Sequence, residues 1–127
     1  MSYEIPESII PMKSGAAIAR ARFVKPDTTA ETVIQSTAEG SLTLGVAVEA
    51  ASAAGKFIGV QTRGVAMVTF GGTVAAMGPV ESDASGQAVA CAGAAANTVG
   101  YALEGGASGE ERPVLLTTPI GLGAPNA

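Results

Sequence analysis

The 127-residue sequence contains no histidine and no tryptophan, and cysteine occurs once, as Cys91. Without histidine there is no imidazole for acid–base chemistry or for a histidine-dependent triad. One cysteine and no histidine leave no zinc site of the usual kind. Cys91 has no partner for an internal disulfide, and it is expected to behave as a small buried hydrophobe in a chain made in a reducing cytoplasm. Aromatics are scarce at 4 %, although hydrophobic residues reach 47 %. The apolar mass is therefore mostly alanine, valine and other small side chains, each of which buries little area at about 25 cal/mol per Å². Such a core gains from contacts with further copies or with a larger surface. Positive charge is also short, with 7 Lys and Arg against 11 Asp and Glu and a net charge of −4. That balance supplies no basic patch for nucleic acid or an anionic membrane. No apolar run is long enough for a membrane-spanning helix. The acidic opening Met1-Ser2-Tyr3-Glu4-Ile5-Pro6-Glu7 lacks the apolar core of a secretory signal.

What is abundant is punctuation. The 17 glycines and 7 prolines are spread along the chain, as short strands joined by turns require. Ile18–Val24 alternates and ends at the turn signal Lys25-Pro26-Asp27. Glu31–Gln35 contains the β-branched Thr32-Val33-Ile34, and Leu42–Glu49 alternates. Phe57–Thr62 and Val65–Phe70 flank Arg63-Gly64, and Pro79–Glu81 and Gln87–Ala90 bracket the turn Asp83–Gly86. Val99–Glu104 and Val114–Thr118 complete the strands. Alanine-rich Ala50–Ala54 and Ala94–Ala96 have room for a turn of helix each. Residues 1–13 are predicted as an extended arm, because Pro6 and Pro11 deny a helix and favour extended neighbours. Residues 14–118 are predicted as the β domain and 119–127 as a tail.

The sequence also repeats itself. Gly45-Val46-Ala47-Val48-Glu49 returns 55 residues on as Gly100-Tyr101-Ala102-Leu103-Glu104. Each copy runs into a loop of small residues and then a strand, Phe57–Val60 or Pro113–Leu116. Val24-x-x-Asp27 matches Val80-x-x-Asp83. Two copies are too few for a solenoid. They predict an all-β fold, a small barrel or sandwich built from two related halves, roughly 16–64 and 72–118, with the extended N-terminal arm.

Two arrangements with a passing likeness to catalytic sites carry little. Ala50–Phe57 has the outline of a phosphate-binding loop but lacks its first glycine, and Phe57 stands where the metal-binding hydroxyl belongs. Glu49 and Glu104 form the minimum pair for glycoside hydrolysis, yet their equivalent places in two halves put them at the ends of separate strands. No catalytic, cofactor-binding or metal-binding residue is assigned, and neither enzymatic activity nor a cofactor is expected. Arg20 and Arg22, two apart on a predicted strand, are candidate charges for an acidic partner.

Several segments, in order, resemble a family of small tailed-phage capsid decoration, or cement, proteins. They are Ile18-x-Arg20-x-Arg22-Phe23-Val24-Lys25, Leu44–Glu49 with its Ala/Gly loop, Arg63-Gly64-Val65, Gly78-Pro79-Val80 before the Asp83–Gly86 turn, and Val99–Glu104 followed by Val114-Leu115-Leu116. The resemblance spans about residues 15–118, and in general plan the chain is similar to lambda-type head decoration proteins. It implies a compact β-barrel-like fold, no enzymatic activity, and a place in the virion on the outer capsid surface after synthesis in the host bacterial cytoplasm. The implied partners are the major capsid protein, whose capsomer joints the protein would stabilise after expansion, and further copies of itself in a homotrimer. Neither nucleic acid nor membrane is expected as a partner. Ile5, Pro6, Ile9, Ile10, Pro11 and Met12 of the arm are the expected capsid-binding residues. The competing readings are a tail or baseplate structural protein, a carbohydrate- or ligand-binding β module, and a hydrolase using Glu49 and Glu104.

Overall fold

A computed structural model describes residues 5–37, 43–91 and 98–117. Among them there is no helix, and the fold is all-β. The strands are β1 (Ile5–Ser14), β2 (Arg22–Pro26), β3 (Thr32–Gln35), β4 (Gly45–Ala47), β5 (Phe57–Thr69), β6 (Pro79–Ser82), β7 (Ala88–Ala90), β8 (Gly100–Ala102) and β9 (Glu111–Leu116). They form one curled sheet in the order β1-β3-β2-β4-β5-β9-β8-β6-β7, and β1 also pairs with β5. That extra pairing closes β1, β3, β2, β4 and the first half of β5 into a five-stranded barrel, which removes most exposed strand edges.

The second half repeats this plan. In the first unit β2 pairs antiparallel with β3 and with β4, β4 pairs with β5, and β1 joins β3 in parallel at Lys13 and Ser14. In the second, β6 pairs with β7 and β8, β8 pairs with β9, and Phe70 bridges Ala88 in parallel. The end of β5 therefore does for the second unit what β1 does for the first, and the two halves are units of about 5–63 and 64–117. The irregular steps repeat as well. Ala21 has φ +63° and Met77 +62° at the same point of each unit, and Gly55 and Gly109 both have φ +88°. The bridge Ile18–Ala51 has its counterpart in Val74–Gly106.

Strand β5 is a single 13-residue element, where the sequence pattern suggests two strands parted by a turn at Arg63-Gly64. Gly64 keeps the strand continuous at φ +89°, a conformation that costs glycine little. Neighbours on both halves hold it: Ile5–Lys13 run along one edge, and β4 followed by β9 along the other. A small cavity of about 10 Å³, lined by Thr43, Gly45, Thr62, Val99 and Leu116, marks that handover; it has room for about one water.

Each unit has its own core. Val24, Val33, Ala47, Ile58 and Val60 fill the first, with Met12 and Leu44 packed on its side. Val68, Phe70, Val80, Ala102 and Val114 fill the second, and Phe23 and Val46 from the first unit reach into it. This is why Phe23 and Val24 are adjacent and both buried: one faces each core. Close strand packing depends on glycine at one repeated position. A Cβ on Gly45 would collide with the Gln61 carbonyl, and one on Gly100 would lie 2.5 Å from the Leu115 carbonyl oxygen. The Ala50–Ala54 segment holds no helical turn, since Ala51 is tied to Ile18 by two backbone hydrogen bonds of 2.9 and 2.8 Å. Leu42, Ala94–Ala96 and the predicted tail lie outside the described residues.

Candidate interaction surface

The N-terminal segment is extended, as its prolines dictate, and its main-chain partner is β5 of the same chain. Pro6 lies opposite Gly64 and Pro11 opposite Gly59, with irregular steps around Ser8. Proline is tolerated here because β1 is an edge strand over most of its length and one side of its backbone needs no ladder bond. Strand β1 crosses the 13/14 boundary, and Ser14 is buried with its hydroxyl donating to the Ala53 carbonyl at 2.8 Å.

Alternation divides the side chains of this strand between two faces. Ile10 and Met12 lie opposite the buried Val60 and Ile58 and so face the mouth of the first barrel, whereas Ile9, Pro11 and Lys13 face outward. Ile9 and Ile10 are both well exposed, and Met12 is half-buried. On the outer side the Lys13 ammonium stands 5.8 Å from the Phe57 ring centroid, and Phe57 is 66 % exposed. The expected docking residues whose side chains are described therefore split into an outer pair, Ile9 and Pro11, and an inner pair, Ile10 and Met12. For Ile5 and Pro6 only the backbone is described.

Arg20 and Arg22 do not share a strand face. Ala21, between them, takes its positive φ, and β2 begins only at Arg22. The Arg20 guanidinium donates to both Glu111 carboxylate oxygens at 2.8 and 2.6 Å, and Arg22 donates to the Ser85 carbonyl at 2.9 Å. Both contacts tie the first unit to the second. Glu49 accepts the Gly59 N–H at 2.8 Å, a bond within the first unit, while Glu104 belongs to the second. No group of three metal-binding side chains lies together among the described residues. Cys91 is half-buried; burial pushes its thiol up from the ordinary range and the Glu81 carboxylate adds to this, against the hydrogen bond with Thr98 at 3.3 Å.

Sequence reasoning missed Phe57, Met77, Tyr101 and Leu115, which are exposed apolar side chains. Tyr101 and Leu115 stand in the second repeat where the buried Val46 and Gln61 stand in the first, so the repeat alone does not mark them as exposed.

No protein-family model matches this sequence, and no curated protein matches it. The fold is similar to a solved structure, the head fiber gp8.5 N base in bacteriophage phi29, with a TM-score of 0.71 and 16 % sequence identity. The alignment covers 87 % of this chain and 93 % of that one. At that identity the likeness is one of fold.

Proposed function

We propose that this chain is a structural protein of a phage virion that sits on the outer surface of the head. The observation that carries this reading is the fold likeness, over 87 % of this chain, to the N base of a phage head fiber. A fold alone does not fix function; the resemblance of the ordered segments to capsid decoration proteins points the same way, although no family model matches the sequence. The chemistry favours a binding role over catalysis: the two candidate carboxylates belong to separate units, and the exposed groups suited to contact are apolar.

In this reading the protein binds the major capsid protein and braces joints between capsomers after expansion. The outward side of β1, with Ile9 and Pro11, lies on the capsid protein, and self-association as a homotrimer suits three-fold positions on the shell. Many weak contacts then act together through effective concentration. The likeness to a fiber base also favours a second reading, in which the same head-bound unit carries an appendage. Co-sedimentation with capsids that lack the protein tests the binding. The full chain is expected to pellet with expanded capsids and saturate at a fixed ratio to capsid protein. An Ile9→Glu chain is expected to bind at least about tenfold more weakly, as for loss of a buried apolar contact. A full chain that stays in the supernatant overturns the reading.

A further inference from the structure

The six large hydrophobic side chains exposed among the described residues are Ile9, Ile10, Phe57, Met77, Tyr101 and Leu115. Superposing one unit on the other through the strand registers gives each of them an equivalent. Ile10 corresponds to Ala66, Met77 to Ala21, Tyr101 to Val46 and Leu115 to Gln61. All four equivalents are buried, at 0–1 % exposure. Ile9 corresponds to Val65, also buried, and Phe57 to Glu111, which holds Arg20.

These equivalents mark the junction between the two units. The Ala21 carbonyl accepts the Thr69 N–H at 2.9 Å, and the Phe23 N–H donates to the Gly86 carbonyl at 2.7 Å. Residues 21–23 are thereby wedged between β5 and the turn before β7, and Phe23 enters the second core. The first unit thus covers the open side of the second barrel. Among the described residues nothing covers the matching open side of the first barrel, where Ile10 is exposed beside the half-buried Met12, or the matching wedge of the second unit, at Met77, Pro79 and Tyr101.

We propose that copies of this chain associate head to tail, the Met77–Pro79–Tyr101 side of one copy seating on the Ile10–Met12 side of the next. The apolar part of the contact between units inside one chain is then repeated between chains, without the Phe23 N–H and Arg22 bonds, since Pro79 has no N–H and Gly78 no side chain. This deepens the self-association in the reading above and needs no capsid. Three copies joined this way would form a ring of six units, since a heterologous contact that closes makes a ring.

The substitutions between the two units suit such a contact. Inside the chain a large Phe23 and a small Ala66 share one core; between chains a smaller Pro79 would face a larger Ile10, which conserves the filled volume. Inside the chain Arg20 pairs with Glu111 across the junction. The corresponding residues are Ala76 and Phe57, so an ion pair is replaced by an apolar contact, with the Lys13 ammonium 5.8 Å from the Phe57 ring at its edge. Seating also requires one exchange besides the bond that Pro79 lacks, because the Lys13 N–H that would meet the incoming Met77 carbonyl now donates to the Glu31 carbonyl at 2.9 Å. One hydrogen bond replaces another there.

The test is the solution mass of the full chain and of two variants, Tyr101→Glu in the wedge and Ile10→Glu in the seat, each checked for unchanged circular dichroism. The unaltered chain is expected to assemble with increasing concentration, and each variant to lose at least about thirtyfold in association, as for a central interface residue. Mixing the two variants decides the geometry. Each retains one intact face, so the mixture is expected to form a one-to-one dimer and no larger ring. An unaltered chain that remains monomeric, or variants that assemble as it does, overturns the proposal, as does a mixture that stays monomeric. A second pair guards against a folding effect. Phe57→Glu should weaken assembly, and adding Ala76→Arg should restore it in a salt-sensitive way by recreating the Arg20–Glu111 pair between chains. Absence of restoration counts against the equivalence. Capsid co-sedimentation of the unaltered chain separates failure here from failure of the virion reading.

Discussion

Replacing Phe23 by alanine tests whether the two units depend on each other. Phe23 sits on a strand of the first unit, is fully buried, and belongs to the core of the second. Its neighbours there are mostly valine and alanine, and the chain has only 3 phenylalanines, so no large side chain stands ready to fill the space. Removing a buried phenylalanine costs about 3–5 kcal/mol, the lost transfer energy plus the cavity left behind. Against a total of about 5–15 kcal/mol for a domain of this kind, that is about a fifth or more of the stability. Urea unfolding at a protein concentration that keeps the chain monomeric, followed by circular dichroism, measures it, with Phe57→Ala as the exposed control, expected to change stability by no more than about 0.5 kcal/mol. The loss should appear in one transition if the units stay coupled, and in two if Phe23 is the main tie between them. A cost below about 1 kcal/mol for Phe23→Ala, in the range of an ordinary surface change, would refute the placement of this ring in the second core.

Further outcomes follow from the same structure. A chain beginning at Ser14 loses the strand that closes the first barrel and uncovers Ile58 and Val60. It should unfold at a lower midpoint than either phenylalanine variant, and limited proteolysis should cut first within residues 14–63. Gly45→Ala and Gly100→Ala each press a methyl group into a neighbouring carbonyl, and each should lower stability by about 1–3 kcal/mol in denaturant melts, as overpacking does. Similar costs at the two sites would reflect the repeated architecture. The Cys91 thiol is held above its ordinary range by burial. Because the thiolate is the reactive form, alkylation near pH 8 should be slower in the folded protein than in urea, and it should speed up as pH rises.

Much of the architecture is legible in the residues. The pair Gly45–Glu49 and Gly100–Glu104 marks β4 and β8, and Val24-x-x-Asp27 with Val80-x-x-Asp83 marks the ends of β2 and β6. The doubled plan follows from these matches, as does the all-β class. The boundary between units is less legible, because β1 and the end of β5 are equivalent in pairing but share little sequence. In β1, Pro6 and Pro11 read as an unpaired segment, and only the tertiary pairing reveals an edge strand with glycines opposite both prolines. Arg63-Gly64 reads as a turn, since local sequence does not reveal that ladders on both edges carry the strand through it. The exposed apolar positions are hidden for a similar reason. Tyr101 and Val46 occupy matching strand positions, and only the packing of one unit on the other decides which is covered.

The most direct measurement of the central claim is imaging, with protein quantification, of virus particles purified from cells that express the gene for this chain. The account predicts density of this fold on the outer surface of the head, with the chain present at a fixed ratio to the major capsid protein. Particles that lack the chain, or that carry it only in the tail, would contradict it.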